Sequence, residues 1–210
     1  MTKYSNALVA VGVIGMASLS SIFPSLGRTT AALPSVSVAA QTVGEARPIA
    51  GWTEFCRREP AECAVDPSES AVVPLTAATW QTITAVNRRV NSSLVAITDQ
   101  DHWGVADRWD LPTDGAGDCE DFQLQKRKLL AQAGLPRRAM RMTVVIDEKN
   151  EGHAVLMVLT TRGDFVLDNK TDVVLPWFDT GYAYVKREGQ DRTGWVSLGG
   201  AVSPTATANR

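Results

Sequence analysis

Apolar residues recur along this chain with two different periods, and the switch between them divides it. Trp80, Ile83, Val86, Val90 and Leu94 are spaced by three and four, which predicts a helix over 79–94 with one apolar face. Thr79 can cap its start. A second helix is expected to begin at Asp118, a good N-cap residue, with Asp121 as an acid in its first turn. Phe122, Leu124, Leu129, Leu130 and Ala133 make this helix well buried, Gly134 caps its end and Pro136 stops it. From Met140 the period becomes two. Met140, Met142, Val144 and Ile146 alternate with Arg141, Thr143, Val145 and Asp147, as in a strand. His153–Thr160 and Asp164–Asp168 read as further strands joined by the turn Thr161-Arg162-Gly163, and Tyr182–Arg187 and Trp195–Leu198 add two more. Helices followed by an antiparallel sheet predict an α+β fold. No internal repeat is visible.

Three stretches stand outside this pattern. Residues 41–75 carry Pro, Ser and Glu with few periodic apolar positions, and are expected to form an N-terminal arm. Residues 98–117 form a loop rich in Asp, Gly and Trp, and loops of that length are often functional. The tail 199–210 reads as disordered. The start of the chain has a different character again. Lys3 is followed by the small apolar run Ala7–Ala17, too short to span a bilayer, which needs ~20 residues. It fits the apolar region of an export signal over residues 1–40, with Val38-Ala39-Ala40 as a cleavage sequence and Ala31-Ala32 as an earlier one. An uncleaved membrane anchor is the rival reading.

Composition adds bounds. A length of 210 residues suits one domain, here 76–198, and 44% hydrophobic residues suffice for a sizeable core. The net charge of −2, without a basic run or a basic aromatic stripe, argues against a nucleic-acid partner. Losing residues 1–40 removes Lys3 and Arg28 and no acid, leaving 19 basic and 23 acidic residues, a net −4.

Export changes how the three cysteines are read. Cys56 and Cys63 lie close together in FCRREPAEC, and such a pair is expected to oxidise outside the cytoplasm. Closing so short a loop contributes ~2–3 kcal/mol in the chain-entropy description. Free thiols or metal ligation are the alternatives, although no Cys-x-x-Cys pairs with a histidine cluster at zinc spacing. Cys119 is the odd cysteine, which in a secreted protein marks either a liability or a reactive thiol.

Cys119 falls in the first turn of the second helix, where unpaired N–H groups and the helix dipole favour a thiolate. Its own N–H can serve a developing oxyanion, and Gly115-Ala116-Gly117 lets other backbone approach. A base is needed, and the only histidines are His102 and His153. His153 opens a strand, and Asp168 ends the next strand of the same hairpin, so the two fall near one end within a residue or two of register. Each residue also has a plainer reading. Cys119 fits a small buried hydrophobe, His153 a structural histidine, and Asp168-Asn169 a turn.

The segment GAGDCEDFQLQKRKLLAQAGLP (115–136) resembles the nucleophile helix of the bacterial transglutaminase-like cysteine proteinases, where Gly-Asp-Cys-Glu-Asp opens the helix. GHAVLMV (152–158) resembles that family's His strand, FVLDN (165–169) its Asp strand, and Trp103 through Trp109 its Trp-and-Asp loop. FCRREPAEC is similar to a feature of exported members, and the resemblance spans roughly 50–198. It implies a papain-like core with Cys119 as nucleophile, His153 as general base and acid, and Asp168 as orienter. The family includes a periplasmic, calcium-requiring member that releases a giant surface adhesin, so the resemblance also implies a calcium site at Asp118 and Glu120. It implies a surface or secreted protein as substrate and an inner-membrane regulatory protein as partner; no organic cofactor is expected. Asp101, Asp107 and Asp114 are candidates to complete the oxygen shell, which suits a hard cation. The plainer reading keeps Asp118 as a cap and Glu120 as a first-turn acid. A non-catalytic binding module on the same fold and an amide acyltransferase remain the alternatives to an endopeptidase.

Overall fold

The computed structural model describes residue 1 and residues 32–200. The apolar run Ala7–Ala17 and the tail from residue 201 lie outside the described residues. Among the described residues no helix is long and apolar enough to cross a membrane.

The molecule is α+β. Its main sheet contains β1 (Gly44–Ala46), β4 (Met140–Ile146), β5 (Gly152–Thr160), β6 (Gly163–Leu167), β7 (Leu175–Pro176), β8 (Ala183–Glu188) and β9 (Trp195–Ser197). They run antiparallel in the order β1-β9-β8-β4-β5-β6-β7. One face carries the helices α3 (Ala77–Ser93) and α5 (Cys119–Gln132). The main core lies between them: Ile83, Leu124 and Leu130 from the helices meet Met140, Met142, Val144, Leu156, Val158 and Phe165 from the sheet. The opposite face holds a smaller cluster of Ala40, Val145, Val155, Met157, Leu159, Val166 and Tyr184.

That second cluster explains why the polar partners in the period-two pattern are also buried. Arg141 and Thr143 of β4 are inside, with Arg141 donating to the Met140 and Gly189 carbonyls. Both sheet faces are covered, so alternation marks sides of the sheet rather than water and core.

The expected arm at 41–75 is instead ordered and partly core. It contains β1, α1 (Ala50–Arg58) and α2 (Pro60–Cys63). Trp52 and Phe55, three residues apart, are buried, and that short stripe drives α1 onto the sheet. Glu188 joins the layers: it accepts from Trp52 Nε1 at 2.7 Å and from Arg127 of α5 at 2.6 Å, both buried. Cys56 and Cys63 form a disulfide with Cα atoms 5.5 Å apart, tying α1 to α2. Residues 37–40 also belong to the folded body. Ser37 N–H donates to Arg162 O at 2.7 Å and Ala40 N–H to the buried Asp164 carboxylate at 2.9 Å.

The first predicted helix starts earlier than expected. Thr76, not Thr79, caps α3, its hydroxyl accepting from Thr79 N–H at 3.1 Å. The 98–117 loop holds α4 (Asp99–Trp103), capped by Thr98, and the short β3 (Ala116–Gly117), which pairs in parallel with β2 (Val95–Ala96) after α3. Val95 and Ile97 N–H groups donate to the Gly115 and Gly117 carbonyls, anchoring the turn that precedes Cys119.

Candidate active site at the start of helix α5

Cys119 is the first residue of α5 and fully buried. The helix begins there because Asp118 is extended and the following residues fill the core face. The turn before it is tight: a Cβ on Gly117 would lie 2.5 Å from Asp121 Oδ2, so only glycine lets that carboxylate fold back under the turn. What the glycine admits is thus a side chain.

β5 crosses the start of α5. The N–H of Ala154, next to His153, donates to Cys119 Sγ at 3.4 Å. His153 pairs with Val145 in the sheet and is buried. Its Nε2 is 2.9 Å from Asp168 Oδ1. The β5–β6 ladder runs from Thr160↔Gly163 to Leu156↔Leu167, and Asp168 follows directly, so the hairpin brings His153 and Asp168 to one end.

Asp168 is held in place from several sides. Lys170 N–H also donates to Oδ1 at 3.0 Å, Tyr182 O–H donates to Oδ2 at 2.6 Å, and Asn91 of α3 donates to its carbonyl at 3.0 Å. Burial alone would raise its pKa, but the bond and charge of His153, with the Lys170 and Tyr182 donors, hold it at about 2. Asp168 is therefore a carboxylate at neutral pH and can only accept, so Nε2 carries a proton, and it is Nδ1 that has the free lone pair whenever the ring is neutral. Nδ1 is buried and has no hydrogen-bond partner among the described residues. Lys126 of α5 is buried behind this group; burial drops its pKa to about 7, while the charge of Asp168 opposes the fall.

His102 goes elsewhere. Its Nε2 lies 2.9 Å from Asp114 Oδ2 and its ring stacks on Trp103 at 4.0 Å.

Cys119 Sγ donates to Glu120 Oε2 at 3.1 Å, which leads into a cluster of acids. Asp99, Asp118 and Asp121 bring carboxylate oxygens within 4.8 Å of one another, and so do Asp99, Asp107 and Glu120. All but Asp107 are buried. Asp118 takes the N-cap position without capping: its Oδ2 accepts from Asp99 N–H at 3.4 Å. Asp121 accepts from Asp110 N–H at 2.7 Å, and Asp99 from Arg108 N–H. Asp99 Oδ1 is buried with no donor among the described residues. Burial, reinforced by the neighbouring carboxylates, pushes Asp99 to about 6, Asp118 to about 7 and Asp121 to about 9, and Glu120 well above its ordinary range. Of the expected loop acids only Asp107 joins. Asp101 takes a hydrogen bond from Thr98 and Asp114 pairs with His102. Asp99 was hidden in the expected loop, although Thr98-Asp99-Gln100-Asp101 carries a cap followed by first-turn acids. The cluster fits a hard cation: several buried carboxylate oxygens converge.

A cleft of about 420 Å³ opens beside Asp121, walled by Trp103, Arg108, Leu111, Pro112 and Lys128.

No curated protein sequence matches the chain. Among solved structures it is similar to calcium-bound LapG of Legionella pneumophila, at 24% identity over 60% of this chain and 74% of that one, with a TM-score of 0.50. A second structure of Legionella pneumophila LapG matches at 24% identity over 58% and 70%, with a TM-score of 0.49. The profile of the bacterial transglutaminase-like cysteine proteinases (BTLCP) matches residues 42–202, a span that includes every residue of the site above, and the chain belongs to that family.

Proposed function

We propose that the chain is an exported thiol endopeptidase that forms an acyl-thioester on Cys119 and cleaves a protein substrate. The observation that carries this reading is the seating of Cys119 Sγ against the N–H next to His153, with His153 bonded in turn to an ionised Asp168. These contacts support Cys119 as nucleophile, His153 as base and Asp168 as orienter. Nδ1 of His153 takes the Cys119 proton as Sγ adds to the scissile carbonyl. The oxyanion develops at the start of α5, where backbone N–H groups have no helical acceptor. As the tetrahedral adduct collapses, His153 returns the proton to the leaving amine and the C–N bond breaks. Water then gives a proton to His153 and its oxygen to the thioester, releasing the acid and restoring the thiol.

Asp118 and Glu120, with Asp99, Asp107 and Asp121, would hold a divalent cation, and the calcium-bound state of the similar Legionella protein supports calcium. A bound cation supplies positive charge against carboxylates that otherwise disfavour a thiolate beside them. Within this chain, Glu120 is the acid that touches the thiol, and Asp118 and Asp121 frame the turn that presents it.

The short apolar run Ala7–Ala17 and the disulfide support a periplasmic or secreted location. A surface or secreted protein as substrate, and an inner-membrane protein as regulator, rest on the family resemblance.

The test compares the secreted and surface proteins of cells carrying the wild-type chain or Cys119→Ala. A fragment pair that appears only with the wild type is the expected result. Identical patterns, together with no preferential labelling of Cys119 by iodoacetamide, would leave a binding module on this fold. A product one amine heavier, in place of a hydrolysed one, would make the chain an amide acyltransferase.

A further inference from the structure

We propose that Tyr182 is a positioning residue of this centre, fixing both the Asp168 carboxylate and the plane of the His153 ring. The inference rests on the triad reading above and adds a residue from a different part of the chain.

Two contacts on different atoms motivate it. The Tyr182 hydroxyl donates to Asp168 Oδ2 at 2.6 Å, on the oxygen that His153 does not use. With Lys170 N–H on Oδ1, both carboxylate oxygens are then filled, and rotation about the Asp168 side chain would break at least one bond. The Tyr182 ring also meets the His153 ring edge to face, with centroids 5.6 Å apart at 79°. Such contacts favour one ring orientation. Asp168 follows β6 on one side of β5, while Tyr182 precedes β8, which lies beyond β4 on the other. The imidazole is therefore held between elements that approach from opposite sides of its own strand.

Tyr182 is itself anchored. Gly181 takes a left-handed conformation at φ 77°, turning the chain into β8. Thr180 Oγ1 bonds to Trp177 O at 2.9 Å and to Tyr184 Oη at 3.0 Å, and accepts from Tyr182 N–H at 3.4 Å. Burial and the adjoining Asp168 charge keep the phenol protonated, so it remains a donor across the working pH range.

A purely structural tyrosine would pack its ring and leave the hydroxyl incidental. Tyr182→Phe separates the cases, because it keeps the ring and removes only the O–H. The purified chain is treated with iodoacetamide, and the rate of Cys119 alkylation is measured by mass spectrometry. The His153 Nε2–H signal is followed in parallel by NMR on ¹⁵N-labelled protein and assigned by its loss in His153→Gln. Asp168→Asn serves as the control for the triad. Removing one hydrogen bond to a buried charge should slow alkylation about tenfold. The Nε2–H signal should shift and exchange faster with water, while the protein stays folded with a melting temperature lowered by several degrees. Tyr182→Leu, which keeps apolar bulk without the ring, should be slower still. If Asp168→Asn is slow but Tyr182→Phe matches the wild type in rate and signal, Tyr182 is structural and the proposal is overturned. If neither substitution changes the rate, the triad reading fails and this inference falls with it.

Discussion

Replacing Asp168 by Asn is the most informative perturbation of the proposed centre, because it changes charge with almost no change in shape. In the folded chain Asp168 Oδ1 and His153 Nε2 are 2.9 Å apart and both residues are buried. When the imidazole gains a proton from Cys119, its charge centre and that of the carboxylate lie roughly 4 Å apart, worth about 4 kcal/mol at an effective dielectric of about 20. Asn keeps a carbonyl oxygen that can accept from Nε2, so about a quarter of this is retained. The remaining ~3 kcal/mol corresponds to about a hundredfold in the rate of any step that protonates His153. Asn can also turn its amide toward the ring, which would reverse the tautomer and deepen the loss. The assay is cleavage of a surface-protein substrate identified with the Cys119→Ala comparison, with kcat and KM measured separately. The loss should fall in kcat, since Asp168 is buried behind His153 and has no part in holding the peptide. A fall of less than about threefold would refute the assignment of Asp168 as orienter, and an unchanged kcat with raised KM would place it in binding. Circular dichroism should show the fold retained, since the Lys170, Tyr182 and Asn91 contacts can persist.

Other expectations concern the acids, the disulfide and the N-terminal segment. Asp99 and Asp118 hold protons in the folded chain up to about 6 and about 7, whereas the unfolded chain releases them near about pH 4. Without divalent ions, the stability that these two protonated acids contribute is therefore full below about pH 4 and is lost as pH rises through 6–7. Scanning calorimetry in chelator should show the melting temperature falling over that range, and millimolar calcium should raise it and flatten the dependence; a pH-independent, calcium-insensitive transition would count against the site. Cys56→Ser with Cys63→Ser should lower stability by about 2–3 kcal/mol in urea titration, and an unchanged midpoint would show that the loop is held by packing alone. A chain beginning at Gln41 should be less stable than one beginning at Leu33 by about 1–3 kcal/mol, because it loses the Ser37 bonds and the Ala40 donor to buried Asp164; equal midpoints would show that residues 33–40 are dispensable.

Much of this molecule was legible along the chain because the signals were local. The run from Asp118 to Pro136 carries its own start, apolar face and stop, so α5 and the place of Cys119 at its first turn follow from neighbours in sequence. The alternation in 140–147 and the Thr161-Arg162-Gly163 turn were enough to set β4, β5 and β6 and bring His153 toward Asp168. The disulfide pair was equally local. Periodicity failed where burial depends on distant partners. α1 is so short that its stripe is only Trp52 and Phe55, and these are core residues through distant partners: Trp52 bonds to Glu188 of β8 and its ring meets Trp195 of β9. The acid cluster combines Asp99 and Asp107 from a stretch that reads as loop with Asp118, Glu120 and Asp121 from the helix start, and only packing of α4 beside α5 brings them together. Tyr182 reads as an ordinary strand residue; its meeting with Asp168 and His153 follows from the strand order, in which β8 joins β4 and not its sequence neighbour β7. Local sequence determined the elements and the chemical groups they carry, because capping, turns and period act over a few residues. The tertiary structure decided which of those groups share one buried site, because that depends on contacts between segments far apart in the chain.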